Sequence, residues 1–117
     1  MTKVGIVVLA DVETQGDKGR AFNALTSARE FKEAGDEVTL VFEGAGTKWV
    51  RELADDGGRF GEAFAQVRDV AAACSHCAGV FGVTEAVRAS GLPLLDEYAT
   101  HPSLKRLVDR GYQVITF

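Results

Sequence analysis

Val4, Ile6, Val7, Val8 and Leu9 form an apolar run with almost no interruption, the pattern of a strand covered on both faces. A polar stretch, Asp11 to Gly19, follows, and then the period changes. Phe22, Leu25, Ala28 and Phe31 recur every three residues while Asn23, Arg29, Glu30, Lys32 and Glu33 stay polar, the spacing of an amphipathic helix. Gly35 stands where such a helix stops in a left-handed turn. A second strand begins almost at once, Val38 to Phe42, rich in β-branched and aromatic residues. Two strands of this kind joined by a helix form a parallel βαβ unit with a right-handed crossover.

The remaining chain repeats the alternation. Trp49, Val50 and Leu53 predict a short helix ended by Asp55-Asp56-Gly57-Gly58, and Phe60, Phe64 and Val67 predict another starting near Gly61. Val70 to Cys74 is uniformly apolar and reads as a third buried strand, with alanines where helices approach closely. Cys77, Val80, Phe81, Thr84 and Val87 keep helical spacing up to Gly91, and Leu94-Leu95 makes a very short fourth strand. Pro102 suits the first turn of a last helix, with Leu104, Leu107 and Val108 inward and Gly111 as its stop. Tyr112 to Phe117 closes the chain as a strand. The expectation is one α/β domain over residues 1–117, a three-layer, doubly wound, mainly parallel sheet of four to five strands.

Composition narrows the function classes. The 117 residues are 46% apolar and 26% charged, which excludes intrinsic disorder. Thirteen Lys and Arg against seventeen Asp and Glu give a net charge of −4, with no basic stripe for nucleic acid. No apolar run approaches a membrane span. Both cysteines of the chain sit in one CxxC, too few for a secreted disulfide framework, so a cytoplasmic, reducing setting is expected.

Ligands of open parallel sheets bind beyond the carboxyl ends of the strands. That edge should carry Asp11 to Lys18, then Glu43 to Lys48, then Cys74-Ser75-His76-Cys77, then Asp96, Glu97, Tyr98 and His101. The CxxC is the strongest chemical signal. With Cys74 near a helix N-cap and Cys77 in its first turn, unpaired N–H groups and the helix dipole would lower a thiol pKa. His76, if protonated, would add to this, and so would Lys48 from a loop folded inward. Two small buried residues lining a helix–sheet contact is the competing reading. A zinc site wants a second CxxC or a His pair. Only His76 and His101 are present, so a tetrahedral site would need His101 or a carboxylate of the fourth loop, and no metal or cofactor is expected.

Softer patterns have ordinary explanations. Gly44-Ala45-Gly46-Thr47-Lys48 lacks the spacing of a phosphate loop and reads as a strand-to-helix turn. Thr14 to Gly19 could cradle a flavin phosphate, but the acidic residues from Asp11 to Asp17 favour a solvated loop that starts the helix. His101 before Pro102 reads as a helix-start residue, and Ser75 lacks the partners of a hydrolase triad. Too little chain follows the CxxC for a thioredoxin fold.

The opening strand Val4-Gly5-Ile6-Val7-Val8-Leu9, the helix with Phe22 and Ala28, the segment Ala73-Cys74-Ser75-His76-Cys77-Ala78 and the ending Gly111 to Phe117 together resemble the DsrE/DsrF-like sulfur-relay family over nearly the whole chain. The resemblance implies a flavodoxin-like sheet, a subunit that assembles into oligomers (a homotrimer or homohexamer is expected), and sulfur donor and acceptor proteins as partners. It also implies a persulfide on the strand-end cysteine, here Cys74. Cys77 departs from the single relay cysteine and would act as a resolving thiol, with His76 as a pKa modulator or acid–base. The alternatives are a non-catalytic oligomeric module with packing cysteines, and a flavin- or nucleotide-binding domain on the Thr14 to Gly19 loop. Trp49, Phe60 and Phe64 are expected to be exposed and covered by assembly.

Overall fold

The computed structural model describes residues 1–117 and contains five strands and six α-helices. In chain order these are β1 (Lys3–Val8), α1 (Gln15–Glu33), β2 (Glu37–Phe42), α2 (Lys48–Ala54), α3 (Arg59–Ala65), β3 (Ala71–Cys74), α4 (Ser75–Val80), α5 (Thr84–Ser90), β4 (Leu94–Leu95), α6 (Leu104–Asp109) and β5 (Gln113–Thr116). The sheet is parallel throughout, in the order β4-β3-β2-β1-β5. This is the flavodoxin-like α/β arrangement expected from the alternation of strands and helices.

Alternation along the strands divides the core. Val4, Ile6 and Val8 of β1, Leu40 and Phe42 of β2, and Ala71 and Ala73 of β3 face one layer of helices. There they meet Ala21, Ala24, Leu25 and Ala28 of α1, Trp49, Val50 and Leu53 of α2, Phe64 of α3 and Val87 of α5. The opposite face carries Gly5, Val7, Thr39, Val41, Ala72 and Cys74. Of the six helices, α6 serves this side: a Cβ on Gly5 would stand 3.1 Å from Leu107.

Helix boundaries follow local chemistry. Thr14 and Asp17 form a reciprocal capping box at the start of α1, the Asp17 N–H donating to Thr14 Oγ1 and the Thr14 N–H to the Asp17 carboxylate. The acidic loop before α1 is therefore part of a helix start. The Gly44–Thr47 segment is a 3₁₀ turn leading into α2, and its glycine is required by a close approach. A Cβ on Gly46 would lie 2.0 Å from the Val8 carbonyl oxygen. Thr47 is buried and donates its hydroxyl to the Gly44 carbonyl (2.8 Å), so this motif is a strand-to-helix turn.

Four expectations change. Leu9 lies past the end of β1 and is exposed, since its N–H bonds to the Phe117 carbonyl and its side chain leaves the core. The helical spacing from Cys77 to Val87 belongs to two short helices, broken where Gly82 adopts φ +69°, which turns Val80 outward to 65% exposure. Pro102 precedes the cap of α6, which is Ser103. Leu104 and Val108 are exposed there, because so short a helix presents only Leu107 to the sheet. Finally, Trp49 and Phe64 are buried in the monomer. Trp49 stacks on Phe60 (5.3 Å between centroids, 6° between planes), and its Nε1–H donates to the Ala10 and Asp11 carbonyls at 3.0 and 3.1 Å. Trp49 and Phe64 complete the chain's own core, and Phe60 packs half-buried against it.

Gly46 supplies a test of the strand-end packing. Gly46→Ala should cost at least ~2 kcal/mol in chemical denaturation, because the backbone of β1 has to move to admit the methyl group. Gly57→Ala, whose Cβ meets nothing within 4 Å, should stay within about 0.5 kcal/mol of the unsubstituted protein.

Candidate functional site

The β2–β3 register pairs Leu40 with Ala71, Val41 with Ala72 and Phe42 with Ala73. One residue further along, that register sets Glu43 beside Cys74. Both point away from the face that holds Phe42 and Ala73. Cys74 is the last residue of β3 and the N-cap of α4, and the Cys77 N–H donates to its Sγ (3.3 Å). Cys77 lies in the first turn of α4, so the cap bond holds the two cysteines on one side of the turn. Both are buried, and both are free thiols.

The fourth loop supplies the remaining member. Tyr98 and His101 form a two-residue hairpin, exchanging N–H···O bonds of 2.8 and 2.7 Å. Ala99 and Thr100 between them have φ of 48° and 65°, the positive-φ pair of a type I′ turn, a conformation suited to Asn-Gly and strained for a β-branched threonine. The Thr100 carbonyl accepts from the His76 N–H (2.9 Å), pinning the turn to the start of α4. His101 Nδ1 thereby comes to 3.3 Å from Cys74 Sγ, 3.9 Å from Cys77 Sγ and 3.6 Å from Glu43 Oε1. One donor atom from each of Glu43, Cys74, Cys77 and His101 lies within 4.8 Å of all the others.

The electrostatics differ from the sequence expectation. The N-terminus of a helix was expected to lower a cysteine pKa, yet burial pushes the Cys74 thiol up, to about 12. The Cys77 N–H works against that rise, while the Cys77 thiol and the Glu43 carboxylate add to it. A six-residue helix offers little dipole to offset the loss of water. Lys48 does not turn toward the cysteines. It binds Asp11 (2.7 Å) and Glu13 (3.7 Å) and lies 5.5 Å from the Phe81 ring centroid.

All four expected loops do open on the carboxyl edge, but they contribute unequally. Cys74 and Cys77 meet as expected. His76 is exposed on α4 and reaches the cluster only by lying against His101, their rings 4.6 Å apart. His101, read from sequence as a helix-start residue, instead stands against both sulfurs, because its hairpin folds back over β3. Glu43 was recognisable only as one residue of its loop, because the β2–β3 register that sets it beside Cys74 is not carried by any single stretch of chain. The open clefts of the surface, around Trp49 and Phe60 and around Lys32 and Leu92, lie elsewhere.

Comparison with known proteins agrees with this architecture. The DsrE/DsrF-like family model matches residues 2–117, and the chain belongs to that family. An uncharacterised protein of Methanocaldococcus jannaschii is 34% identical over 93 residues, covering 80% of this chain and 76% of its own. A conserved protein of unknown function from Bacteroides thetaiotaomicron superposes with a TM-score of 0.68 at 17% identity, over 97% of this chain and 94% of that one; it has the same fold.

The strained hairpin is open to measurement. Thr100→Gly should raise stability by about 1 kcal/mol, the order of the cost of holding a non-glycine residue in a left-handed conformation. Thermal unfolding with and without the substitution reads this directly; a lower melting temperature would mean that the turn is not under strain.

Proposed function

We propose that this member of the DsrE/DsrF-like family handles sulfane sulfur, with Cys74 as the acceptor, Cys77 as the resolving thiol and His101 as the proton acceptor between them. The observation that carries the reading is the single contact set at the carboxyl edge: His101 Nδ1 within 3.3 Å of Cys74 Sγ and 3.9 Å of Cys77 Sγ. Membership in the family supports the sulfur-relay class.

Loading takes place when Cys74, its proton passed to His101, attacks the outer sulfur of a donor persulfide. The S–S bond of the donor breaks, the donor leaves as a thiolate, and Cys74 carries the added sulfur. The Cys77 thiolate then attacks Cys74 Sγ, expelling hydrosulfide and leaving a Cys74–Cys77 disulfide. A dithiol reductant restores the two thiols. Cys74 has no solvent-accessible surface of its own, so the donor reaches it only when the Tyr98–His101 hairpin lifts. His76, its ring tilted against that of His101, influences the base from outside. A reducing compartment suits the resting free thiols, and no helix is long and apolar enough to cross a membrane.

A non-catalytic reading has one observation in its favour, the deep burial of Cys74 with its raised pKa. Mass measurement of the reduced protein after exposure to inorganic polysulfide decides between them. One added sulfur is expected on the Cys77→Ser protein, which cannot resolve it, and none on Cys74→Ser. The unsubstituted protein should release sulfide and gain an internal disulfide. No added sulfur on Cys77→Ser and no sulfide from the unsubstituted chain would leave the packing role.

Self-association is the second part of the reading. Its support is now a different set of side chains: Leu104, Val108 and Ile115 on α6 and β5, and Leu9, Val80 and Phe81 near the carboxyl edge, all exposed. Leu104 and Val108 lie one helical turn apart on α6, and paired exposed apolar side chains of this kind mark interaction surfaces. Light scattering at low micromolar concentration should report a trimer or hexamer, and Val108→Glu should shift it toward monomer. A monomer that persists on concentrating overturns this part alone.

A further inference from the structure

We infer that Glu43, Cys74, Cys77 and His101 form a four-ligand site for a zinc-class divalent cation, taking one carboxylate oxygen, two thiolate sulfurs and Nδ1 of the imidazole. The inference rests on the donor set and its geometry, and it goes beyond sulfur handling while using the same two sulfurs.

Tetrahedral zinc holds sulfur at about 2.3 Å and nitrogen or oxygen at about 2.0–2.2 Å, so its ligand atoms stand roughly 3.3–3.8 Å apart. The separations here are 3.3 Å for Cys74 Sγ to His101 Nδ1, 3.9 Å for Cys77 Sγ to Nδ1 and 3.6 Å for Glu43 Oε1 to Nδ1. No pair of the four exceeds 4.8 Å, and side-chain rotation of about 1 Å closes the widest to the tetrahedral edge. Mixed sulfur, nitrogen and oxygen ligands suit zinc rather than magnesium or calcium, which prefer oxygen.

The surroundings favour a cation. The Glu43 side chain is only 14% exposed, and its one partner within ion-pair distance is His101. A carboxylate so placed beside two thiols repels either thiolate and would be offset by a central positive charge. Cys77 N–H already bonds Cys74 Sγ, the kind of outer bond that orients a metal thiolate. His101 is fixed by a strained turn tied to α4, and the ligands come from the ends of three neighbouring strands, so the site is preformed when the sheet folds. Binding takes up one divalent cation and releases the two thiol protons; no electron moves.

Because metal and sulfane sulfur compete for Cys74 Sγ, the loaded site cannot accept sulfur, a consequence that rests on the sulfur-handling role. The metal site itself is tested without any sulfur donor. Reduced protein stripped with a chelator is titrated with Co²⁺ and then with Zn²⁺. One cobalt per chain is expected, with the thiolate-to-cobalt charge-transfer band and tetrahedral d–d bands, displaced by one zinc. Competition with a chromophoric chelator should show at least a ~10-fold weaker zinc affinity for Glu43→Gln and for His101→Ala, no smaller than the loss on removing an outer-shell partner. Cys74→Ser and Cys77→Ser should each lose the charge-transfer intensity of one thiolate. Should a cysteine variant fail to fold, the unsubstituted chain still answers, since excess zinc should raise its melting temperature. No thiolate–cobalt band in the reduced wild-type chain, or a cobalt spectrum and zinc affinity unchanged in Glu43→Gln, would overturn the four-ligand site. Polysulfide loading measured separately on the metal-stripped protein keeps the failure of one role distinct from the failure of the other.

Discussion

Parallel register is the constraint on which the rest of the molecule depends. Neighbouring strands stand about 4.8 Å apart, and residues level with each other share a face. Phe42 pairs with Ala73, so the next step brings Glu43 level with Cys74, and Cys74 in turn pairs with Leu95 of β4. A slip of one residue in β3 would turn Cys74 into the helix layer and put Ala73 beside Glu43 in its place. Such a slip is opposed by the core itself, because Ala71 and Ala73 are buried members of the helix-layer cluster.

The two faces of the sheet are built to different standards. On one, α1 to α5 bury a continuous cluster from Val4 to Leu92, with Phe42 edge-on to Phe64 and Trp49 stacked on Phe60. On the other, α6 and the segment before it do the covering with few apolar contacts, and Leu104 and Val108 remain in water. Elements with few buried contacts open at the lowest free-energy cost. The cysteines lie under this lighter cover, beneath His101.

Burial and strain at the cluster follow from the same placement. Cys74 sits at a strand end with no water and beside a carboxylate, which raises its thiol pKa. His101 reaches it only because Ala99 and Thr100 accept positive φ. Both features cost stability and neither improves packing, the usual mark of residues placed for chemistry rather than for the core.

The sequence by itself determined the order of strands and helices, the acidic loop that starts the first helix, the stop at Gly35, and the grouping of four loops on one edge. Each of these rests on local periodicity or local hydrogen bonding, which a single stretch of chain carries. It also brought out Cys74 and Cys77, whose spacing is a local matter. Tertiary structure alone decided that Glu43 and His101 join them, since those contacts depend on inter-strand register and on a hairpin folding back across β3. It likewise decided that Trp49 is core while Val80 and Val108 are surface. Apolar spacing along a helix says that one side is buried, but whether a six-residue helix has anything to bury against is settled only by what lies across from it.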